Sequence, residues 1–231
     1  MLPLRITIKL SGHVLFPTLD TQTRISEYAE IVKKLALEGH EVNVVVGGGA
    51  PARYYIQMAR KQGADESTCD FIGIKIANLN ANLFSIALGD LACPFVPTSY
   101  DEMQKAKSTE KIIVMGGLQP GQSTNAVACV LAEFTNSNLL INTTTVDGVY
   151  TSDPRKDPNA RRLSKVSVSE LSKILESLGT RAGEYELLDP VALRIIQRSG
   201  IVTKIIDGTN PENITAACAD LKEGIGTLIV P

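Results

Sequence analysis

The sequence predicts an α/β protein built on a mainly parallel sheet with helices on both faces. Three observations predict it. Short β-branched apolar runs alternate with segments of helical period along the whole chain. Several of those runs end in glycine-rich loops that open a new helix. No repeat of solenoid period and no low-complexity linker interrupts the alternation. At 231 residues the chain is close to the size at which cores begin to divide, so one domain spanning 1–231, two-lobed at most, is expected.

Residues 5–10, Arg-Ile-Thr-Ile-Lys-Leu, alternate as a strand and run into Ser11 and Gly12, a turn signal. Over 21–38 the apolar residues Ile25, Tyr28, Ala29, Val32, Leu35 and Ala36 recur at helical spacing, and Gly39 stands where a helix C-cap belongs. Residues 41–46 read as a β-branched strand ending in Gly47, Gly48 and Gly49, and Pro51 then suits the first turn of a helix. A mostly helical stretch over 66–88 precedes a strand at 111–115, which ends at Gly116 and Gly117 and leads to another helix. A short apolar strand at 139–143 runs on to Asp147, Gly148 and a proline-bearing loop through 158. Helices near 168–178 and 190–198, a strand at 201–206, a helix at 211–223 and a strand at 225–230 complete the order.

Composition sets the boundaries of function. Hydrophobic residues make up 44% and charged residues 21%, ordinary globular usage. A net charge of -2 argues against a general nucleic-acid binder, so any anionic ligand must be met by local positive charge. Cys69, Cys93, Cys129 and Cys218 form no C-x-x-C pair and no metal-ligand spacing, and read as buried free thiols. The first ten residues lack an apolar signal core, and no uninterrupted apolar stretch approaches ~18 residues. A soluble, cytoplasmic protein with no membrane partner is expected.

In an open parallel sheet, ligands gather at the carboxyl ends of the strands. Three glycine loops fall there: 9–13, Lys-Leu-Ser-Gly-His; 47–53, Gly-Gly-Gly-Ala-Pro-Ala-Arg; and 116–124, Gly-Gly-Leu-Gln-Pro-Gly-Gln-Ser-Thr. Glycines let backbone N–H groups approach phosphate oxygens, and the following helix adds its positive end. None fits the P-loop or the dinucleotide fingerprint, so nucleotide chemistry here needs another scaffold. Lys9 and Arg53 supply cations for the charge spread over a moving phosphoryl group. Solvated surface charge is the alternative for both. An acceptor phosphate is already ionised at neutral pH, so no general base is required. His13 either donates to a phosphate or is an ordinary loop residue, and His40 reads as a surface turn residue.

Taken with Asp70 and Gly73 and with the segment 147–154, Asp-Gly-Val-Tyr-Thr-Ser-Asp-Pro, these motifs resemble the archaeal type of UMP kinase in the amino acid kinase family. The resemblance runs from the first strand to the closing Gly-Thr-Leu-Ile at 226–229. It implies a three-layer α/β/α sandwich of the amino acid kinase, or carbamate kinase-like, fold. It implies transfer of the γ-phosphoryl group of ATP to UMP in pyrimidine nucleotide (CTP) biosynthesis, with Mg2+ held mainly by phosphates and water. UMP is then held mainly by the N-terminal half and ATP by the C-terminal half. Lys9 and Arg53 fall on catalytic positions. Gly48, Asp70, Leu118, Gln119, Pro120, Gly121, Gln122, Ser123 and Thr124 fall on positions that hold UMP. Gly12, His13, Gly49, Arg53, Thr144, Thr145, Tyr150 and Asp153 fall on ATP positions. The assembly implied is a homohexamer, a trimer of dimers.

The chain departs from the family pattern at Asn125, where many relatives have Asp, at Thr145, often Asn, and at His13, often Ser or Lys. Lys156 is a second candidate cation for ATP or a solvated loop lysine. The same fold serves kinases for acetylglutamate, carbamate, aspartate and isopentenyl phosphate. Isopentenyl phosphate kinases place a His after the triple glycine, where this chain has Arg53, which favours UMP. The other alternative is a non-catalytic oxyanion-storage assembly, against which Lys9, Arg53 and Asp153 speak.

Overall fold

The computed structural model describes residues 3–20, 23–152, 157–178, 187–221 and 224–230. Seven strands form one sheet: β1 (Arg5–Leu10), β2 (Glu41–Val46), β3 (Val114–Met115), β4 (Leu139–Thr144), β5 (Lys165–Ser167), β6 (Val202–Asp207) and β7 (Thr227–Val230). Their spatial order is β3-β2-β1-β4-β6-β7-β5. All neighbours are parallel except β6 and β7.

The helices are α1 (Gly12–Leu15), α2 (Ile25–Leu37), α3 (Gly49–Lys61), α4 (Glu66–Leu88), α5 (Tyr100–Lys107), α6 (Thr124–Phe134), α7 (Val168–Leu178), α8 (Pro190–Ser199) and α9 (Glu212–Ala219). Strand periodicity divides the core into two sides. Ile6, Ile8, Leu139 and Ile141 pack with Tyr28 and Val32 of α2, Phe84 of α4 and Ile214 of α9. Val45, Leu140 and Ile205 pack with Val127 and Leu131 of α6 and Ile196 of α8. The result is three layers, with β1 and β4 buried at the centre.

Several boundaries and elements differ from expectation, each for a local reason. Ser11 and Gly12 open the short helix α1 rather than a simple turn. The strand expected at 111–115 is cut to two residues. The Asn43 side chain takes the Ile113 N–H, and Ile112 pairs instead with Ala92 in an isolated bridge. Ser99 caps α5 by accepting from Glu102 N, a short polar helix that lacked a long apolar period. β5 is three residues long, too short for periodicity to register. The helix expected over 211–223 stops at Ala219, where Asp220 turns extended and the buried Lys204 ammonium donates to its carbonyl. The last strand begins at Thr227, after Gly226 at φ +77°. His40 proves to be a structural residue, its Nδ1 accepting from Leu4 N at 3.0 Å.

The segment Glu66–Leu91 is long and apolar enough by length and composition to cross a membrane, with a mean hydropathy of 1.4. It lies instead in one outer layer, burying Cys69, Ala77, Ala81, Phe84 and Leu88 against the neighbouring elements. All four cysteines are free and buried, as expected.

Candidate active site

Chain order and spatial order part company between β1 and β4. β2 and β3 lie to one side of β1, and the later strands lie to the other. At such a switch point the loops leaving adjacent strands diverge and open a crevice beyond the strand ends. Lys9 and Asn142 are register partners across this junction. Thr143 ties the exit together: its hydroxyl accepts from Ser11 N at 3.0 Å and donates to the Lys9 carbonyl at 3.1 Å.

The first two glycine loops pack backbone against backbone. A Cβ on Gly12 would lie 2.1 Å from Gly49 N and 2.7 Å from the Gly47 carbonyl carbon. One on Gly49, already at φ +64°, would lie 2.4 Å from Gly12 O. Chain-on-chain contact therefore demands glycine here independently of any phosphate. Asn80 of α4, 3% exposed, donates to the carbonyls of Gly47 and Gly48 at 3.0 and 3.1 Å. With those carbonyls drawn toward α4, planar peptides turn the N–H groups of the next residues the other way.

The third loop is fastened at both ends. At its start Gly116 approaches α4 so closely that a Cβ would lie 2.4 Å from Asn78 Oδ1. At its middle the exposed Asp70 carboxylate accepts from Gly121 N at 2.8 Å, a contact spanning 51 residues. At its end Ser123 caps α6, its Oγ accepting from Asn125 N and Ala126 N at 3.1 and 3.2 Å. The same hydroxyl donates to Asp189, whose other oxygen caps α8.

Three basic groups meet beside these loops. Among the described residues His13 has a buried Nε2 without a hydrogen-bond partner. Burial first, then the charges of Arg53 and Lys9, lower its pKa to about 4. The imidazole is thus neutral at pH 7, and its environment places Arg53 and Lys9 nearby. Burial lowers the Lys9 ammonium to about 8, far below a free lysine. Arg53 itself is exposed one turn into α3. A desolvated cation beside an exposed guanidinium is an arrangement that an anion would complete.

On the far side of the crevice side chains brace the backbone. Thr144 Oγ1 accepts from Val146 N at 2.9 Å, and Thr145 is exposed next to it. Tyr150 donates its hydroxyl to Asp147 at 2.7 Å, which raises the phenol pKa. Arg162 approaches the same carboxylate at 3.6 Å and donates to the Gly226 carbonyl at 2.6 Å. Gly48, Gly49 and 118–124 thus lie beyond the strand ends on the β2 and β3 side, and 144–150 beyond them on the β4 side. Asp153 and Lys156 lie outside the described residues.

The sequence profile of the amino acid kinase family matches residues 5–207. The chain belongs to the amino acid kinase family. It is 46% identical over 209 residues to a uridylate kinase of Methanococcoides burtonii, covering 90% of this chain and 88% of that one. It is 44% identical over 228 residues to a uridylate kinase of Methanothermobacter thermautotrophicus, covering 99% of this chain and all of that one, 100%. Among solved structures, the uridylate kinase from Archaeoglobus fulgidus superposes with a TM-score of 0.85 at 38% identity, over 98% of this chain and 100% of that one.

Sequence reasoning missed several residues that shape this family member's crevice: Asn80, Asn142, Thr143, Arg162 and Asp189. A signal existed for two of them. Asn80 interrupts an apolar helical stretch and Asn142 ends an apolar strand run, and a polar residue buried there requires a partner. Arg162 and Asp189 carried no local signal, because their roles depend on segments distant in sequence.

Proposed function

We propose that the chain is a UMP kinase, transferring the γ-phosphoryl group of ATP to UMP with release of ADP, in pyrimidine nucleotide (CTP) biosynthesis. One observation carries the reading: the desolvated Lys9, with Arg53 and His13, sits at the switch point between glycine loops in a chain matched almost end to end by uridylate kinases. Lys9 and Arg53 meet the charge that spreads over the equatorial oxygens of the moving group. The acceptor oxygen is ionised already, so the protein's work is positioning and electrostatics.

In this reading the chain is one domain of two lobes. Gly48, Asp70 and residues 118–124 receive UMP, with the free lone pairs of Asp70 available to the nucleoside. Gly12, His13, Gly49, Arg53, Thr144, Thr145, Tyr150 and Asp153 receive ATP. Among the described residues no group of three His, Cys, Asp or Glu side chains converges. A Mg2+ ion would then be held mainly by the ATP phosphates and water, where it would supply charge neutralisation for the transfer. The protein works in the cytoplasm as a homo-oligomer, a trimer of dimers. The exposed Tyr54, Tyr55 and Met58 of α3 and Phe71, Leu83 and Ile86 of α4 support self-association.

The test is ADP release from Mg-ATP with UMP, CMP, dUMP and isopentenyl phosphate offered in parallel. UMP-selective turnover is expected. Turnover with isopentenyl phosphate alone would sink the UMP assignment, and none with any acceptor would sink the kinase reading.

A further inference from the structure

Two unmet acceptors lie in the layer between β4, β1 and α6. Asn142 of β4 and Asn125 of α6 both donate their amide nitrogen to one atom, the Leu187 carbonyl oxygen, at 2.9 and 3.2 Å. A carbonyl can only accept, so this contact fixes which end of each amide is nitrogen. Both amide oxygens are then left buried and, among the described residues, without a partner. Asn142 is 2% exposed. Leaving such a group unsatisfied costs about 1–3 kcal/mol, so a stable protein that keeps two of them calls for a use in the loaded state.

Parallel pairing of β1 with β4 sets Lys9 beside Asn142, on the same face of the sheet. Among the described residues the Lys9 ammonium makes no hydrogen bond or ion pair. It has three donors and no acceptor, whereas an ionised phosphoryl oxygen has acceptors only. A phosphoryl group can satisfy Lys9 but can never satisfy the two amide oxygens. The nearby donor that matches them is the ammonium itself.

We propose that Asn142, together with Asn125, is a positioning residue for phosphoryl transfer: the two amide oxygens take two N–H groups of Lys9 and aim the third at the transferred group. Neutral acceptors orient the ammonium without cancelling its charge, which remains available to the phosphoryl oxygens. This rests on the kinase reading above. Charged or titratable groups on the elements around β1 include His13 of α1, Arg53, Arg60 and Lys61 of α3, Glu66, Asp70 and Lys75 of α4, Cys129 and Glu133 of α6, and Asp189 at the start of α8. β2 presents Val45 beside Lys9, and the first turn of α6 presents Thr124, Asn125 and Ala126.

The experiment follows the Lys9 ammonium by NMR titration of protein labelled with 15N-lysine, with Lys9→Ala to assign the signal. This readout is independent of turnover. In Asn142→Asp the Lys9 pKa is expected to rise by about one unit or more, as a carboxylate within reach of a cation does. In Asn142→Leu it is expected to fall, while kcat with UMP drops about 10–100-fold and KM for UMP and ATP changes less than about threefold. Should Asn142→Leu not fold, Asn125→Asp tests the same contact from α6, with the same upward shift expected. A Lys9 titration that moves in none of the variants overturns the proposal, even where turnover falls. A roughly tenfold change in the Mg2+ requirement with Lys9 unmoved assigns the amide oxygens to a cation and also overturns it. If wild type lacks UMP kinase activity while Lys9 still tracks residue 142, the kinase reading fails and the Lys9–Asn142 contact stands.

Discussion

The two walls of the crevice are built differently. On the β2 side the backbone itself forms the surface: Gly12 lies on Gly47 and Gly49, Asn80 pulls two glycine carbonyls toward α4, and Asp70 pins Gly121. On the β4 side the loop is carried by side chains, with Thr144, Asp147, Tyr150 and Arg162 linked to one another or to nearby backbone. At Gly12 and Gly49 the first wall has no room for an added atom, whereas the exposed Tyr150–Asp147 hydrogen bond of the second can be lost with little strain. In the proposed reading the glycine wall suits phosphates, the acceptor's at Gly48 and 118–124 and the donor's at Gly12 and Gly49, and the side-chain wall suits the base and sugar of the larger ligand.

Substitutions should separate the two walls. The largest effect is expected at their junction, where Lys9→Ala should lower kcat/KM by about 1,000-fold or more with little loss of melting temperature, measured by ADP release and thermal unfolding. Next comes the glycine wall. Gly12→Ala puts a methyl group 2.1 Å from a backbone nitrogen that has no flexible end to move. It should destabilise the protein by about 3 kcal/mol, seen as a melting point lower by roughly 6–12 °C. Asn80→Ala leaves two glycine carbonyls short of a donor and should cost about 2 kcal/mol. It should also raise KM for UMP about tenfold, with KM for ATP nearly unchanged. The smallest effect belongs to the side-chain wall: Tyr150→Phe removes one exposed hydrogen bond and should alter stability by less than about 1 kcal/mol and KM for ATP by about twofold.

Lys9 also sets a pH signature. Its folded pKa is lowered by burial to about 8 from the ordinary lysine value of 10.5, so activity in the free enzyme should decline as pH rises through 8. Between those values the unfolded chain holds a proton that the folded chain has released. The Lys9 contribution to stability therefore increases with pH over that window and is absent in Lys9→Met, which unfolding at pH 7.5 and 9.5 can resolve.

The architecture was legible because it rests on period. Buried strands such as 41–46 and amphipathic helices such as α2 and α8 announce themselves residue by residue. The short α1 and β5 do not, since tertiary contacts rather than local pattern hold them. At the site the glycines and Lys9 stood out as breaks in pattern. Asp189 did not, because nothing local in Leu-Leu-Asp-Pro shows that its carboxylate will reach the Ser123 hydroxyl and join the caps of two helices. Asn142 was hidden for a similar reason: its meaning comes from register with Lys9 and from Leu187, 45 residues on.

Calorimetric titration of UMP, and separately of a non-hydrolysable ATP analogue, into wild type and Asp70→Asn tests the division of the crevice most directly. UMP affinity should fall at least about tenfold in the variant while ATP-analogue affinity stays within about twofold. Equal loss for both ligands, or loss confined to the ATP analogue, would contradict the assignment of Asp70 and the 118–124 loop to the acceptor.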